Sequence, residues 1–311
     1  MDWIVPTITS FLAAAVRVAT PLTFAGIGEA FSERAGIINI GVEAIMLSGA
    51  FAAFMATSAT GSILLGVAAG ILGGVCVSML HGVLSIRCRA NQNIAGLALN
   101  ILVLGLTSFL FMKAFGQTTV LPTCKLAPQF AIPLLSQIPV LGPALFSQSG
   151  FEYTLYLVVM AATVVFYRTE WGTTLTAVGE HPRAADTAGL NVQKIRYLAC
   201  LINGILGGLG GAYITIAQLG FFMEDVNAGR GYIALVAVIL GRRNPAGIFA
   251  SALVIGLAQA LQLQLQTLRI GIPSQAFSML PYVAAVVVLL FSIGKGRDPV
   301  ALGVPYERDK R

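Results

Sequence analysis

The residue patterns that carry catalytic chemistry are largely missing from this sequence. No G-x-x-x-x-G-K-[ST] run occurs, and Gly294-Lys295-Gly296 lacks both the upstream glycine spacing and the following hydroxyl, so the chain holds no phosphate loop for ATP. There is no HExxH, no GxSxG with triad partners, and only two histidines, His81 and His181. Cys76, Cys88, Cys124 and Cys200 are widely spaced and form neither a CxxC nor a paired pattern. No catalytic residue, metal site, cofactor or disulfide framework is expected. The cluster Gly204, Gly207, Gly208, Gly210 and Gly211 could pass for a dinucleotide loop, but it lies in an apolar run rather than after a strand. Close packing of one helix on another through small residues is the expectation there.

What remains is a set of polar side chains inside apolar runs. In hydrocarbon an ionised side chain costs at least about 2.5–3.5 kcal/mol on insertion scales, so such groups face a bundle interior or a watery path. Glu43 and Asn39, four apart, would share one face of a helix. Asn100 and Asn203 are similarly placed in later runs, and Asn91, Gln92 and Asn93 open another. Asn39, Glu43, Asn93, Asn100 and Asn203 are therefore the candidates to line a path and hydrogen-bond a polar, uncharged solute. The same side chains would serve as hydrogen bonds between helices, typically worth about 0.6 kcal/mol each. Arg17 points inward or reaches the near interface, and His81 is read as a packed helix residue.

The elements that must position these groups follow from composition. Of 311 residues, 57% are apolar and only 10% are charged, with a mean hydropathy of +0.84. Soluble proteins carry about 25% charged residues. A helix crossing about 30 Å of hydrocarbon needs roughly 20 residues, so nine crossings use about 180. A soluble enzyme, a disordered chain and a secreted disulfide scaffold are excluded. Nine apolar segments can be cut out at roughly 5–27, 36–57, 63–86, 92–112, 151–167, 197–217, 231–241, 246–264 and 276–294. The seventh is short for a straight span and must borrow residues from before Tyr232. Backbone groups in lipid must be satisfied within the segment, so these runs are helices, and the alternating ten-residue strands of a barrel are absent.

Counting bases gives an orientation. Arg34, Arg87, Arg89, Arg168, Arg183, Lys194, Arg196, Arg242, Arg243, Lys295, Arg297, Arg308, Lys310 and Arg311 fall on one side. Lys113, Lys125, Arg230 and Arg269 fall on the other. Fourteen against four predicts a cytoplasmic C-terminus. That bias accounts for the net charge of +6 without a nucleic-acid partner. The expected fold is an all-α polytopic transmembrane bundle, one domain over 1–311, with about nine spans. Residues 28–40 could turn within the membrane, which leaves eight or ten open. The N-terminal run lacks a basic leader region and reads as the first span.

Three segments lie outside the spans. Residues 113–150 carry Pro122, Pro128, Pro133, Pro139 and Pro143, which opposes a continuous helix and suits an extracytoplasmic lid, a docking surface or a passive connector. The tail from 295 to 311 is too short for a second domain. The cytoplasmic loop 168–196 is the most informative. Pro182 suits a first helical position, Arg183 to Ala188 are mostly good helix formers, and Gly189 can supply a left-handed stop. The spacing predicts two turns of helix with small residues on one side. Such a helix would fit a cleft on a separate motor subunit, its small side chains allowing close approach while Glu180, Arg183 and Asp186 fix orientation. A plain interfacial helix would use the same pattern.

The run Gly179-Glu180-His181-Pro182-Arg183-Ala184-Ala185-Asp186-Thr187-Ala188-Gly189 resembles the cytoplasmic loop motif of bacterial ABC importer permeases, the family serving ribose-type sugars, branched-chain amino acids and nucleosides. Three further stretches agree in the same order: 28–47, which opens Gly28-Glu29 and includes Asn39 and Glu43; 91–100, from Asn91 to Asn100; and 231–245, from Gly231-Tyr232 to Asn244-Pro245. The stretch 28–47 is most similar to the nucleoside or simple-sugar branch. Asn93 stands where Val or Ile is expected, and Arg242-Arg243-Asn244 replaces a more mixed turn. The resemblance implies a non-catalytic permease subunit in the bacterial inner membrane. Its partners would be a cytoplasmic ABC ATPase, a second homologous permease forming a heterodimer, and an extracytoplasmic solute-binding protein. Gly179, Glu180, Pro182, Arg183, Ala184, Ala185, Asp186 and Gly189 would then contact the ATPase. A nucleoside is the first-choice solute, with a simple sugar or riboflavin-like solute as the alternative. An ion-coupled secondary transporter is the rival from another class. It would need intramembrane carboxylate relays and inverted repeats, and only Glu43 fits the first requirement.

Overall fold

Apolar runs of twenty residues close their own hydrogen bonds as helices, and the computed structural model of the chain, which describes residues 4–116, 121–267, 273–292 and 298–307, shows them doing so. In chain order the helices are α1 (Ile4–Arg34), α2 (Val42–Thr60), α3 (Ile63–Gly82, prolonged by a wider turn over Val83–Arg87) and α4 (Gln92–Phe115). A short antiparallel pair, β1 (Gln129–Ala131) with β2 (Ser147–Ser149), encloses α5 (Leu141–Phe146). There follow α6 (Gly150–Arg168), α7 (Glu170–Glu180), α8 (Pro182–Thr187) and α9 (Val192–Tyr213, prolonged over Ile214–Leu219). The last four are α10 (Arg230–Leu240), α11 (Pro245–Thr267), α12 (Ser274–Ser278) and α13 (Leu280–Ser292).

Seven of these are long and apolar enough to cross a bilayer: α1, α2, α3, α4, α6, α9 and α11. The seventh and ninth expected segments are shorter helices, α10 and the stretch within α12–α13. Arg269, Lys295, Arg297, Arg308, Lys310 and Arg311 lie outside the described residues, as do residues 117–120 of the proline-rich loop. The described part of that loop is broken into the short pieces named above, as its prolines require.

The helix starts obey capping chemistry. Ser62 accepts the Leu65 N–H, Asn91 accepts those of Asn93 and Ile94, and Asn191 accepts that of Lys194. Two boundaries differ from the sequence expectation. The first helix runs on to Arg34 instead of ending near 27, and the second begins at Val42 instead of 36. Gly36, at φ +84°, lets the chain reverse, with Gly36 N–H donating to Glu33 O and Ile37 N–H to Ser32 O. From Ile38 to Gly41 the chain then runs back with no N–H in a helical bond. Asn39 therefore lies outside the helix, and the shared face with Glu43 does not exist.

Packing puts α1, α2 and α9 at the centre. α3 lies on α2 and α9, α4 on α2, α11 on α1, and α10 between α1, α2 and α11. The glycine cluster of α9 makes this closeness possible, as expected for small residues between helices. A Cβ on Gly208 would lie 2.5 Å from the Gly70 carbonyl oxygen of α3, and one on Gly49 of α2 would lie 2.6 Å from Gly208 O. Gly105 of α4 has open space around it. Gly208→Val should therefore lower the thermal midpoint of the detergent-purified protein, overpacking costing about 1–3 kcal/mol or more, while Gly105→Val leaves it in place. Equal midpoints for the two variants would contradict this packing.

Candidate functional site

Two groups of residues merit a functional reading, one inside the bundle and one at its basic end. The first is built around the link 35–41 and the first turn of α2, where the N–H groups of Ile38, Asn39, Gly41 and Ala44 find side-chain acceptors in place of helical ones. Side chains supply them. Glu29 Oε1 accepts the Asn39 N–H at 2.7 Å, and Gln92 Oε1 accepts the Ile38 N–H at 2.9 Å. Asn39 Oδ1 accepts the Gly41 N–H at 2.8 Å. Asn100 Oδ1 accepts the Ala44 N–H at 2.9 Å, while its Nδ2 donates to Ile40 O at 3.1 Å and to the Tyr232 hydroxyl at 2.8 Å. Asn203 Nδ2 donates to Glu29 Oε2 at 2.6 Å.

Glu43 performs the same service for another helix. Its Oε1 accepts the Gly229 N–H at 3.1 Å and its Oε2 the Gly231 N–H at 2.5 Å, so a carboxylate caps the start of α10. A negative group is favoured there by the unpaired N–H groups and the helix dipole. Asn227 Nδ2 adds a bond to Glu43 O at 3.3 Å. The approach is close: a Cβ on Gly231 would lie 2.5 Å from Glu43 Cα.

α10 is only half a span. Its eleven residues rise about 16 Å, against about 30 Å of hydrocarbon. Residues 221–229 before it are irregular, with Asp225, Ala228 and Gly229 at φ +52°, +49° and +80°. Phe222 anchors this stretch, its ring 5.3 Å from Phe51, 6.0 Å from Phe54 and 5.3 Å from Phe111. Irregular backbone at membrane depth is tolerated only against protein or a water-filled cavity. Met223, Glu224, Asp225 and Ala228 are exposed on the described chain. Beside them a cleft of about 360 Å³ opens between α10 and α13, lined by Gly229, Tyr232, Ile233, Pro281, Tyr282 and Val286 among others. Its lining is apolar, with the rings of Tyr232 and Tyr282 on facing sides and the Tyr232 hydroxyl accepting from Asn100 at 2.8 Å, a surface that a flat ring can lie against.

Four of the five path candidates thus gather around one link: Asn39, Glu43, Asn100 and Asn203. Asn93 does not join them. It is exposed on the first turn of α4, where its N–H donates to Asn91 Oδ1 at 3.0 Å. Gln92, noted from the sequence among the polar residues that open the fourth span, belongs to the cluster, and so do Glu29, Asn227 and Tyr232, which were not named as path residues. For Glu29 a charge inside the stretch 28–47 was the available clue; for Asn227, in a run of turns, there was none. Asn227 Oδ1 and Gln92 Nε2 are buried without a hydrogen-bond partner among the described residues. His81 is a packed residue, its Nε2 within 3.2 Å of Gln92 O.

The second group is the loop between α6 and α9. Thr169 caps α7, accepting the Gly172 N–H. His181 breaks the helix, and Pro182 opens α8 as its first residue. Gly189 closes it at φ +90°, with Leu190 N–H donating to Ala185 O at 3.0 Å and Gly189 N–H to Asp186 O at 3.0 Å. The two-turn helix expected from Pro182 and Gly189 is present. Its faces are unlike. Arg183, Ala184, Thr187, Ala188 and Gly189 are exposed, Pro182 and Asp186 are half-buried, and Ala185 is only 4% exposed, facing the bundle. Gly179 is wedged against the Arg34 carbonyl, where a Cβ would collide with the oxygen. Glu180 Oε2 accepts the Val300 N–H at 3.3 Å, so it faces the tail.

Arg34 and Arg196 fix the same end. The Arg34 guanidinium lies 4.0 Å above the Phe166 ring and its Nε donates to Arg243 O at 3.2 Å. Arg196, counted from the sequence as a loop base, is 1% exposed and donates to Ala35 O and Val304 O, both at 3.1 Å. Glu33 pairs with Arg243, which also reaches Asp298 at 2.9 Å. Among the described residues no group of three His, Cys, Asp or Glu side chains is placed to hold a metal ion.

Comparison with known proteins places the chain among its relatives. A family model described as "Branched-chain amino acid transport system / permease component" matches residues 11–291. The guanosine ABC transporter permease protein NupQ of Bacillus subtilis is 36% identical over 323 residues, covering 99% of each chain. The nucleoside ABC transporter permease protein NupC of Lactococcus lactis is 37% identical over 317 residues, again covering 99% of each. A solved inward-facing structure of a metal-chelate type ABC transporter shares the fold, with a TM-score of 0.53 at 16% identity over 90% of this chain and 85% of that one.

Proposed function

The chain belongs to the branched-chain amino acid transport system / permease component family, and on that premise we propose that it is the membrane-spanning subunit of an ATP-driven importer for nucleosides. The observation that carries the solute class is end-to-end similarity, at 36–37% identity, to a guanosine permease and a nucleoside permease. The subunit performs no bond chemistry itself; it is a multi-pass protein of the cytoplasmic membrane. About nine crossings are counted by adding α10 with its irregular approach, and the pair α12–α13, to the seven long helices. The basic end, with Arg34, Arg196 and Arg243, faces the cytoplasm under the positive-inside rule.

On this reading α8 is the coupling helix. Arg183, Ala184 and Gly189 form its outward face toward a cytoplasmic ABC ATPase, while Gly179, Glu180, Ala185, Asp186 and Pro182 seat it on the bundle. The solute passes the exposed side of α10, between Tyr232 and Tyr282, where a base can lie against tyrosine rings. The carboxylates of Glu224 and Asp225 are exposed beside it. Charges on that face favour a watery route over lipid. A second, homologous permease closes the other wall, and an extracytoplasmic solute-binding protein delivers the solute. Asn39, Glu43, Asn100 and Asn203 hold the link and the half-helix that shape this route.

Reconstitution tests the reading. Proteoliposomes holding the permease pair, the ATPase and the binding protein should accumulate radiolabelled guanosine when ATP is supplied to the ATPase side. This chain alone should be idle. Accumulation driven by an ion gradient with no ATPase present would overturn the importer assignment, and ATP-driven uptake of glucose but not guanosine would overturn the solute.

A further inference from the structure

After α13 the described chain resumes along the basic end as a ten-residue ribbon, 298–307, whose bonds join five separate parts of the molecule. The Ala301 N–H donates to Gly179 O at 3.0 Å, and the Val300 N–H to Glu180 Oε2 at 3.3 Å, so the ribbon grips the residues immediately before α8. Two residues on, the Gly303 N–H donates to Gly36 O at 3.1 Å, at the turn between α1 and α2. Gly303 is in the left-handed region, φ +74°, which turns the ribbon toward that carbonyl. Val304 O then accepts Arg196 Nη1 at 3.1 Å, while Arg196 Nε reaches Ala35 O at 3.1 Å. One buried guanidinium at the base of α9 therefore holds both the ribbon and the α1–α2 turn. At the ends, Asp298 pairs with Arg243 at 2.9 Å and Glu307 with Arg89 at 3.1 Å.

The exposed end pairs are weak clasps. The inner contacts differ. Ala301 is 8% exposed and Arg196 1%, so the Ala301–Gly179 and Arg196–Ala35 bonds are shielded from water and hold one geometry, while the Arg196–Val304 bond is partly buried and the Val300–Glu180 bond exposed. They also lead somewhere. Gly36 begins the link whose Asn39 is held by Glu29, whose Ile38 is held by Gln92, and whose continuation into α2 is held by Asn100. One residue before Ala44 stands Glu43, which holds the start of α10. A continuous run of short bonds thus connects the coupling helix to the broken helix beside the solute cleft, and the ribbon supplies the step between α8 and Gly36.

We infer that residues 298–307, locked by Arg196, are the strap that carries the displacement of the coupling helix into the α1–α2 turn, with Arg196 as a positioning residue for transport. This rests on the reading of the chain as an ATP-driven permease. A pull on α8 moves the ribbon through Gly179 and Glu180, and the ribbon moves Gly36. Without the strap the ATPase would still dock on the exposed face of α8, but its stroke would reach the membrane helices through the packing of α7 and of α8 on α9, without the direct bond to Gly36.

The test separates transport from assembly. The complete reconstituted transporter is prepared with the native chain, with Arg196→Met, with Arg196→Lys, and with residues 298–311 deleted; ATP hydrolysis, guanosine uptake and ATPase co-purification are measured on each. Arg196→Met and the deletion should retain co-purification and hydrolysis while uptake per ATP falls about ten-fold, a size typical of coupling energies between sites. Arg196→Lys, which keeps the charge but lacks the fork that reaches two carbonyls, should fall in between. Retained uptake per ATP in either severe variant, or a parallel fall of hydrolysis and uptake, would overturn the strap. Should the severe variants fail to fold, spin labels at Ala188 and Val304 of the otherwise native chain decide instead. Their separation should stay fixed when ATP is added, because α8 and the ribbon move together, and a change of several ångströms would overturn the inference. A native complex that hydrolyses no ATP would remove the proposed function and the strap together, whereas a transporting native complex with fully coupled variants removes the strap alone.

Discussion

Glu43→Ala should lower the stability of the purified protein by about 1–3 kcal/mol or more, because one buried N–H group loses its acceptor at about that cost and a partly buried one adds to it. The groups are those of Gly229 and Gly231, 3.1 and 2.5 Å from the two carboxylate oxygens. Loss of the cap releases the start of α10 from α2, so ATP-driven uptake should fall with it. Glu43→Gln sharpens the expectation. An amide keeps one acceptor oxygen but turns an NH₂ toward the other N–H, so about half the destabilisation should remain. Unfolding followed by tryptophan or tyrosine fluorescence in mixed micelles measures the first effect, and proteoliposome uptake the second. A different result would reassign the residue: an unchanged unfolding midpoint with a raised KM for solute would mean that Glu43 touches the solute and does not anchor α10.

Ala184→Asp should leave insertion and stability within about 0.5 kcal/mol of the native chain, since Ala184 is exposed and a surface substitution rarely costs more. Association with the ATPase should suffer instead. An unpaired carboxylate buried in an interface costs about 2–5 kcal/mol, so affinity should drop at least 30-fold or so, and uptake with it. The neighbouring change gives the contrast. Ala185 is 4% exposed and faces the bundle, so Ala185→Asp should disturb the loop itself and lower the unfolding midpoint. Intact co-purification and a normal uptake rate for Ala184→Asp would contradict the coupling role of α8.

These two sites differ in how much of them could be read along the chain. The short helix α8 was legible because its determinants are local. Pro182 sets the first residue, Gly189 supplies the positive φ, and both act within the turn they end. The polar cluster was half legible. Asn39, Glu43, Asn100 and Asn203 stood out as polar groups in apolar surroundings, and the structure buries all four. Their partners did not stand out, and the helical face assumed for Asn39 and Glu43 was wrong because Gly36 reverses the chain and delays α2 to Val42. Arg196 shows the same limit. Its type and position fit a loop base, yet its role depends on Val304, more than a hundred positions along.

Hydropathy determined from the sequence alone that the chain lives in a bilayer, that its spans are helices, and where most of them run. Transfer to lipid is additive over neighbouring residues, and a backbone without water must pair with itself. The chain also specified, residue by residue, the short helix between Pro182 and Gly189. Only the tertiary structure decided which helix is broken, that a carboxylate on α2 caps it, and that the tail binds Gly179 to Gly36. Each of these pairs groups that are far apart in sequence, and their geometry is set by which helices can approach, where glycines such as Gly208 and Gly231 let backbones meet. No local pattern encodes that choice, because the same polar side chain satisfies whichever unpaired backbone group the packing brings to it.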